Sequence, residues 1–257
     1  MSRVYGVVTG VVRSVDDPSS QGRVLVGLPW LPGDNESYWA PVATLMSGES
    51  RGSWFMPEEG DEVLLAFEHG NVDQPFVIGY LWNGIQTPPG DGGHSVRRLK
   101  TVSGHVLEFH DEDGGHKILL RSNGGQKVEL DDNASSITIE TSGGELVKLS
   151  PGKVEAATSA GQSIELGDAP PAAKVQAGPG TIQMDASGVT VTHPGSVAVD
   201  CTTADLTAAA AVSVTAPTVT VSAPVTTFAG VVMAQVLIAD AVVGSAYTPA
   251  PGNTFGL

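Results

Sequence analysis

The chain has 257 residues and a formal net charge of −15, although only 16% of its residues are charged. That negative charge repels phosphate groups, which excludes nucleic acid as an expected partner and disfavours anionic membrane surfaces. The single cysteine, Cys201, excludes an intrachain disulfide framework and fits synthesis in a reducing cytosol.

The first 88 residues are predicted to form a compact β-domain. Ten of the 14 aromatic residues, including all four tryptophans, lie before residue 83, and large aromatics supply much of the buried area in a core. Short β-forming runs alternate there with turn signals, without helical periodicity. The predicted strands cover 4–12, 22–28, 39–46, 52–56, 62–68 and 76–82. This pattern predicts a small closed barrel of the oligonucleotide/oligosaccharide-binding (OB) type, with an SH3-like barrel as the alternative.

Residues 89–104 are predicted to form a neck that begins with a Pro/Gly-rich run. The neck carries three cations, Arg97, Arg98 and Lys100. Two interpretations are open: these cations pair with acidic groups of the barrel or of a neighbouring chain, or the neck is a solvated connector.

Residues 105–228 are predicted to form a shaft of very short strands. Apolar residues alternate there with small or polar ones, so each strand has one apolar and one polar face. Nothing in this half is bulky enough to cover the apolar faces, so identical chains wound around one axis are expected to cover one another. The sequence therefore predicts a homotrimeric, triple-stranded β-helix, with a single-chain parallel β-helix as the alternative. The predicted strands are 105–110, 117–121, 127–130, 137–140, 164–166, 181–184, 189–191, 197–199, 212–214 and 219–221.

Residues 229–257 are predicted to form the tip or cap of the shaft. The segment 231–243 is almost continuously apolar, and its β-branched residues favour strands over a helix. Upstream of it, Val197, Val199 and Cys201 have the same parity, and residues of equal parity in a strand lie on one face. We therefore predict that Cys201 faces the shaft axis, with an exposed turn as the alternative.

The first 88 residues contain a series of short motifs. In chain order they are DP (17–18), GRVLV (22–26), LPW (28–30), WAPV (39–42), RGSWFMPEEGDEVL (51–64), FEHG (67–70), QP (74–75) and IGYLWNG (78–84). With these motifs the segment resembles a known family, the central spike proteins of contractile injection machines. This family includes phage baseplate assembly protein V, the spikes of large contractile phages and the valine-glycine repeat protein of type VI secretion. Residues 101–140 also resemble the first β-helix turns of that family.

The resemblance implies an all-β chain, with an OB-type barrel followed by a trimeric β-helix, that punctures a target cell envelope. The implied partners are two further copies of the chain and, at the barrel end, a separate hub or baseplate protein and the tail tube. A PAAR-like tip protein is a further candidate partner at the C-terminal end. No hub domain is recognised before the barrel, so a phage tail or phage-like extracellular injection particle, assembled in the bacterial cytoplasm, is expected.

No catalytic, cofactor or metal site is predicted, and the chain is not expected to be an enzyme. The histidines and the cysteine lack the spacing of a zinc site, and His105, His110 and His116 are interpreted as exposed turn residues. The run 111–114 resembles the start of a calcium loop without its later ligands. Some family members bind iron through a His-x-His pair near the tip, whereas the distal shaft here has only His193.

Two other functions are less consistent with the sequence. A carbohydrate-binding adhesin needs a tip with clustered aromatic residues, and a polysaccharide lyase needs a groove lined with acidic and aromatic residues. Beyond residue 82 the chain has only Phe109, Phe228, Tyr247 and Phe255 as aromatic residues. A mechanical spike is therefore favoured over both.

Overall fold

The computed structural model describes residues 3–33, 35–90, 93–241 and 243. In this part of the chain the secondary structure consists of β-strands and one short 3-10 turn, so the all-β prediction is confirmed. Internal contacts divide the chain into two units, Met1–Val197 and Ala198–Leu257. All of the described strands lie in the first unit.

The N-terminal strands build a nearly closed sheet. They are β1 (Val8–Ser14), β2 (Arg23–Gly27), β3 (Ala40–Pro41), β4 (Ser47–Gly48), β5 (Arg51–Gly52), β6 (Glu62–Phe67) and β7 (Pro75–Leu81). Five of them form one antiparallel sheet in the order β3-β2-β1-β6-β7, while β4 and β5 make a separate hairpin. A parallel bridge between Val42 and Val77 joins the two edges of the five-stranded sheet. The sheet therefore curls into a barrel.

The barrel core is made of small aliphatic side chains from alternate strand positions. Strand β6 illustrates this, because Val63 and Leu65 are fully buried while Glu62 and Leu64 on the other face are partly exposed. The expectation that aromatic residues supply this core is wrong: Trp54, for example, is 73% exposed. A barrel this narrow is filled by valine and leucine, which leaves most of the larger rings outside. The core cluster is Val12, Val24, Val26, Leu28, Ala40, Val63, Leu65 and Val77.

Several barrel strands are shorter than predicted. The predicted strand 39–46 is reduced to β3, which ends at Pro41, a residue with no amide hydrogen to donate to a ladder. The predicted strand 52–56 is reduced to the two residues of β5, and β1 begins at Val8 rather than at residue 4. The connection 68–74 between β6 and β7 contains the 3-10 turn Glu68–Gly70.

The rest of the first unit is one eleven-stranded sheet. Each strand pairs antiparallel with the strands before and after it in the chain, so the order in the sheet is the order in the sequence. Because neighbouring strands are antiparallel, the single-chain parallel β-helix is excluded for this sheet. The strands are β8 (Val96–Lys100), β9 (Val106–His110), β10 (Lys117–Arg121), β11 (Lys127–Asp131), β12 (Ser136–Glu140), β13 (Leu146–Ser150), β14 (Lys153–Ala157), β15 (Ser163–Asp168), β16 (Pro171–Ala177), β17 (Gly180–Asp185) and β18 (Gly188–Thr192).

Four strands of this sheet were not predicted from the sequence. Strand β8 lies inside the predicted neck, where it pairs with β9 along its whole length, so these five residues are not a connector. Strands β13, β14 and β16 each contain a lysine, and β14 and β16 also contain alanines; both residue types have low intrinsic β-propensity. Pairing with neighbouring strands overrides that preference here.

Three predicted strands are absent from the single chain: 197–199, 212–214 and 219–221 form no strand. An extended segment becomes a strand only when its backbone groups find hydrogen-bond partners, and none is available to these segments within the described chain. Cys201 is exposed in this unit. Its axial position stays a prediction about an assembled protein.

The described part of the predicted cap, 229–241 and 243, contains neither helix nor strand. The remainder of the cap, residues 242 and 244–257, lies outside the described residues, as do Asp91 and Gly92 of the neck.

Candidate assembly surfaces

One face of the eleven-stranded sheet is apolar along its entire length. The register aligns one column from Leu99 to Val191 and a second from Arg97 to Val189, with one residue from each strand in each column. Only Arg97, in the first strand, is not apolar. The first column is Leu99, Leu107, Leu120, Val128, Ile139, Val147, Ala156, Ile164, Val175, Ile182 and Val191; the second continues from Arg97 with Phe109, Ile118, Leu130, Ile137, Leu149, Val154, Leu166, Ala173, Met184 and Val189.

No part of the described chain covers this apolar face. Most of its large side chains are exposed, from 39% at Leu130 to 63% at Val189, while Leu107 and Val128 are half-buried. Side chains on the opposite, polar face are mostly half-buried, because long charged residues lie against one another there. The single chain therefore buries its polar sheet face better than its apolar one.

The polar face is organised by cross-strand ion pairs. Lys127 lies 2.9 Å from Glu140, and Lys153 lies 3.1 Å from Glu155 and 3.0 Å from Glu165. Glu155 and Glu165 are directly opposite each other in the register, an arrangement that is unfavourable for like charges. Lys153 neutralises both, and the hydrogen bond to Glu165, followed by that to Glu155, raises the pKa of the lysine.

A buried carboxylate anchors the start of the sheet. Glu108 is 5% exposed, and it accepts hydrogen bonds from Arg98 at 2.5 Å and from the His110 ring at 2.8 Å. Burial opposes ionisation of Glu108, but the hydrogen bonds from His110 and Arg98 outweigh it and lower the pKa of the carboxyl group. Arg98 also donates to the carbonyl of Pro89. Two of the three neck cations therefore have carboxylate partners in or next to β9, since Arg97 pairs with Asp111.

The interpretation of His110 as an exposed turn residue is wrong. It lies within β9, and its side chain is only 15% exposed because Glu108 and neighbouring strands surround it. His105 and His116 do lie in turns and are exposed.

One edge of the sheet carries four equivalent five-residue turns, which we term the turn stack: 101–105, 122–126, 141–145 and 158–162. Each begins with serine or threonine and has glycine at its fourth position, with φ between 87° and 91°. The fifth residue is His, Gln or Glu. The first hydroxyl accepts a hydrogen bond from the amide of the fifth residue at 3.0 to 3.3 Å. Adjacent turns also touch, as in the 3.1 Å hydrogen bond from Ser159 to Glu145.

Turns at the other edge shorten along the chain. The turns after β9, β11, β13, β15 and β17 have six, four, two, two and two residues. At the edge that holds the turn stack, the last turn, after β16, also has only two residues. The sheet therefore has its bulkiest edges near the barrel and its slimmest edges far from it.

A buried ion pair holds the first barrel loop. The Asp17 side chain, 3% exposed, binds the Arg23 guanidinium through two contacts of 2.7 and 3.0 Å. It also accepts hydrogen bonds from the amides of Ser19 and Gln21. The hydrogen bonds from the Arg23 side chain and, to a smaller extent, from these amides hold the pKa of Asp17 far below its ordinary value.

We predict that this ion pair makes the barrel acid-sensitive. A carboxyl group whose pKa is lowered by folding stabilises the folded state above its unfolded pKa of about 3.9 and loses that contribution as pH falls further. Asp17→Asn should lower the thermal midpoint at neutral pH and flatten its decline below about pH 4. Asp16→Asn is the matched control, because the Asp16 carboxylate makes no hydrogen bond within the described chain. Equal midpoints for the two variants would contradict the prediction.

The turn that precedes β6 is capped by an acidic side chain. Gly60 adopts a φ of 94° in this turn, a conformation that glycine tolerates without strain. The Asp61 carboxylate accepts a hydrogen bond from the amide of Glu58 at 2.8 Å.

Comparison with known proteins places these features in a family. Residues 8–82 match the family described as the type VI secretion system/phage-baseplate injector OB domain. Over 112 residues the chain is 32% identical to the type VI secretion system spike protein VgrG3 of Vibrio cholerae. This alignment covers 39% of this chain and 11% of that protein. The barrel of this chain therefore matches the injector OB domain of baseplate spikes, and the chain is related to the VgrG spike proteins.

Two further VgrG proteins are similar to this chain. It is 36% identical to the type VI spike protein VgrG5 of Pseudomonas aeruginosa over 44% of this chain and 14% of that protein. It is 31% identical to the actin cross-linking toxin VgrG1 of Vibrio cholerae over 39% of this chain and 10% of that protein. The chain thus spans only a small fraction of the relatives it matches, and the matched OB region corresponds to the barrel.

The described part of the chain contains neither a metal cluster nor a membrane helix. No group of three or more His, Cys, Asp or Glu side chains is placed to hold a metal ion there. None of the described helical segments has the length and apolar character needed to cross a bilayer.

Proposed function

We propose that three copies of this chain form the spike of a contractile phage tail or phage-like extracellular injection particle, and that the spike pierces the target envelope. The uncovered apolar face of the eleven-stranded sheet is the observation that carries this proposal. An exposed apolar surface that long marks an interaction site, and a sheet buries its apolar face against another layer. In the proposed trimer, three identical sheets turn these faces toward one threefold axis as a triple-stranded β-helix.

The narrow width of the apolar face favours three copies. Each sheet contributes only two columns, so three sheets around an axis enclose a slim core of six columns, such as Ile139 and Ile137 from each copy. The same symmetry supplies neighbours for residues 197–199, 212–214 and 219–221, whose valines lack strand partners in the single chain. The similarity of the barrel to baseplate spike proteins also supports the proposed trimer.

The mechanical role follows from stiffness and taper. An uninterrupted antiparallel ladder from β8 to β18 ties each strand to its neighbours by main-chain hydrogen bonds. The turns shorten to two residues far from the barrel, so the proposed trimer narrows away from the barrel. Sheath contraction would push this shaft forward and concentrate force on a small area of envelope.

Each part of the chain has a mechanical role and no catalytic one. The barrel, 1–88, docks on a hub or baseplate protein and on the tail tube, and the neck, 89–104, leads into the shaft. The shaft, 105–228, transmits force, and 229–257 closes the tip, where a PAAR-like protein is the proposed partner. The particle is assembled in the bacterial cytoplasm, and the spike needs neither catalytic residues nor a cofactor.

Multi-angle light scattering tests the trimer directly. The expected mass is three times the 26.3 kDa of one chain, and it should persist at micromolar concentration. Because the chains are intertwined, unfolding should be slow and should resist detergent. A monomer mass would contradict the proposal, and a dimer would show that the apolar faces pair as a sandwich.

A further inference from the structure

Two cations lie without a carboxylate partner at the edge of the sheet that holds the turn stack. Lys100 of β8 and Arg121 of β10 lie opposite Val106 of β9, one on each side of it, and both are exposed. Within the described chain neither one lies within 4.0 Å of a carboxylate. We term Lys100 and Arg121 the basic edge.

The opposite edge of the same strands carries carboxylates. Glu112 and Asp113 lie in the turn 111–116, and Asp132 lies in the turn 132–135; all three are exposed. Of these, only Glu112 lies within 4.0 Å of a basic side chain in the described chain, with the His110 ring at 3.8 Å. We term Glu112, Asp113 and Asp132 the acidic edge.

The two edges cannot meet within one chain. In the register, Lys100 and Arg121 align at one end of the strands, and His110, Lys117 and Asp131 align at the other. Those ends are four residue steps apart, or about 14 Å, along a strand with a rise of about 3.4 Å per residue. The charges therefore remain unpaired in an isolated copy.

We propose that the basic edge of each copy pairs with the acidic edge of the next copy around the threefold axis. The inference rests on the proposed trimer. A threefold ring is closed by heterologous contacts, in which two different patches meet at each junction. Rotation about the axis does not change height along it. The basic edge lies at the ends of β8 and β10 and the acidic edge in the turns after β9 and β11, so the two edges overlap in height at β9 and β10. Closing the ring therefore brings opposite charges together three times.

These contacts set the axial register of the three chains. The two apolar columns repeat similar residues strand after strand, so a copy displaced along the axis would still bury apolar surface. The charged edges do not repeat, because the later turns 151–152, 169–170 and 186–187 contain no charged residue. Only the aligned assembly pairs the basic edge with the acidic edge, as charged positions do for register in coiled coils.

Zero-length carbodiimide coupling on the intact protein tests the contact. Labelled (¹⁵N) and unlabelled chains are refolded together, coupled and digested, and the cross-linked peptides are identified by mass spectrometry. We expect Lys100 joined to Glu112, Asp113 or Asp132, including pairs between labelled and unlabelled chains. A trimer mass without these pairs would overturn the edge contact alone, whereas a monomer mass would overturn the proposed function as well.

Charge reversal provides an independent measurement. Lys100→Glu with Arg121→Glu should slow trimer assembly at low salt about tenfold, because like charges then meet at each junction. Adding Glu112→Lys, Asp113→Lys and Asp132→Lys to the same chain should restore the rate. Lys148→Glu with Lys174→Glu is the matched control, since it changes the net charge equally but lies on the middle of the polar face. The proposal is wrong if the combined variant assembles no faster than the first, or if the control is equally slow.

Discussion

Replacing Ile139 by glutamate is expected to abolish the trimer, whereas replacing its neighbour Thr138 by glutamate leaves the trimer intact. The two residues are adjacent in β12 and point to opposite faces of the sheet. Ile139 is 47% exposed in the single chain, so the substitution does not disturb the fold of one copy. In the trimer it places three carboxylates near one axis, where burial costs several kcal/mol per ion.

Light scattering measures this difference, and circular dichroism checks that both variants keep their β-structure. Because burial and mutual repulsion favour protonated carboxyl groups, acidification should restore part of the Ile139→Glu trimer. Trimers of equal stability in the two variants would show that the apolar face is not the assembly surface.

Replacing Leu65 by alanine is expected to lower barrel stability by about 2–5 kcal/mol, the usual cost of deleting a buried leucine side chain. Leu65 is fully buried in the core of the barrel, between β1 and β7. All four tryptophans lie within residues 30–82, so tryptophan fluorescence reports unfolding of the barrel and not of the shaft. The midpoint should fall by about 10 °C or more in a domain of this size.

Leu64→Ala is the matched control for this prediction. Leu64 is the adjacent residue in β6, it is only half-buried, and it lies on the other face of the strand. The control should shift the fluorescence midpoint much less than Leu65→Ala does. If both variants shift it equally, the alternation in β6 does not define the barrel core.

The aromatic residues show where sequence reasoning about the barrel was misleading. Their clustering before residue 83 correctly marks the barrel region, but Trp54, Phe55 and Trp82 are 73%, 61% and 69% exposed. Composition reveals that a segment carries large apolar side chains, yet it does not reveal whether the curvature of a sheet leaves room for them inside. The valines and leucines at alternate positions were the better indicator of the core.

The turn stack could have been found in the sequence and was missed. A serine or threonine, followed three residues later by glycine and four residues later by His, Gln or Glu, occurs at 101–105, 122–126, 141–145 and 158–162. The intervals between the copies are unequal, because the opposite turns shorten along the chain. A search for a fixed period therefore overlooks a motif whose local hydrogen bonding is constant.

The sequence by itself determined the two faces of the shaft, because alternate residues of any strand point to opposite sides, whatever the strand pairs with. It also determined the resemblance of the barrel to spike proteins, which depends on short local motifs. Only the tertiary structure decided that β8, β13, β14 and β16 are strands, that Glu108 is buried between Arg98 and His110, and that opposite charges lie on opposite edges. These features depend on which strands pair and in which register, and that choice is made by contacts between residues distant in the chain.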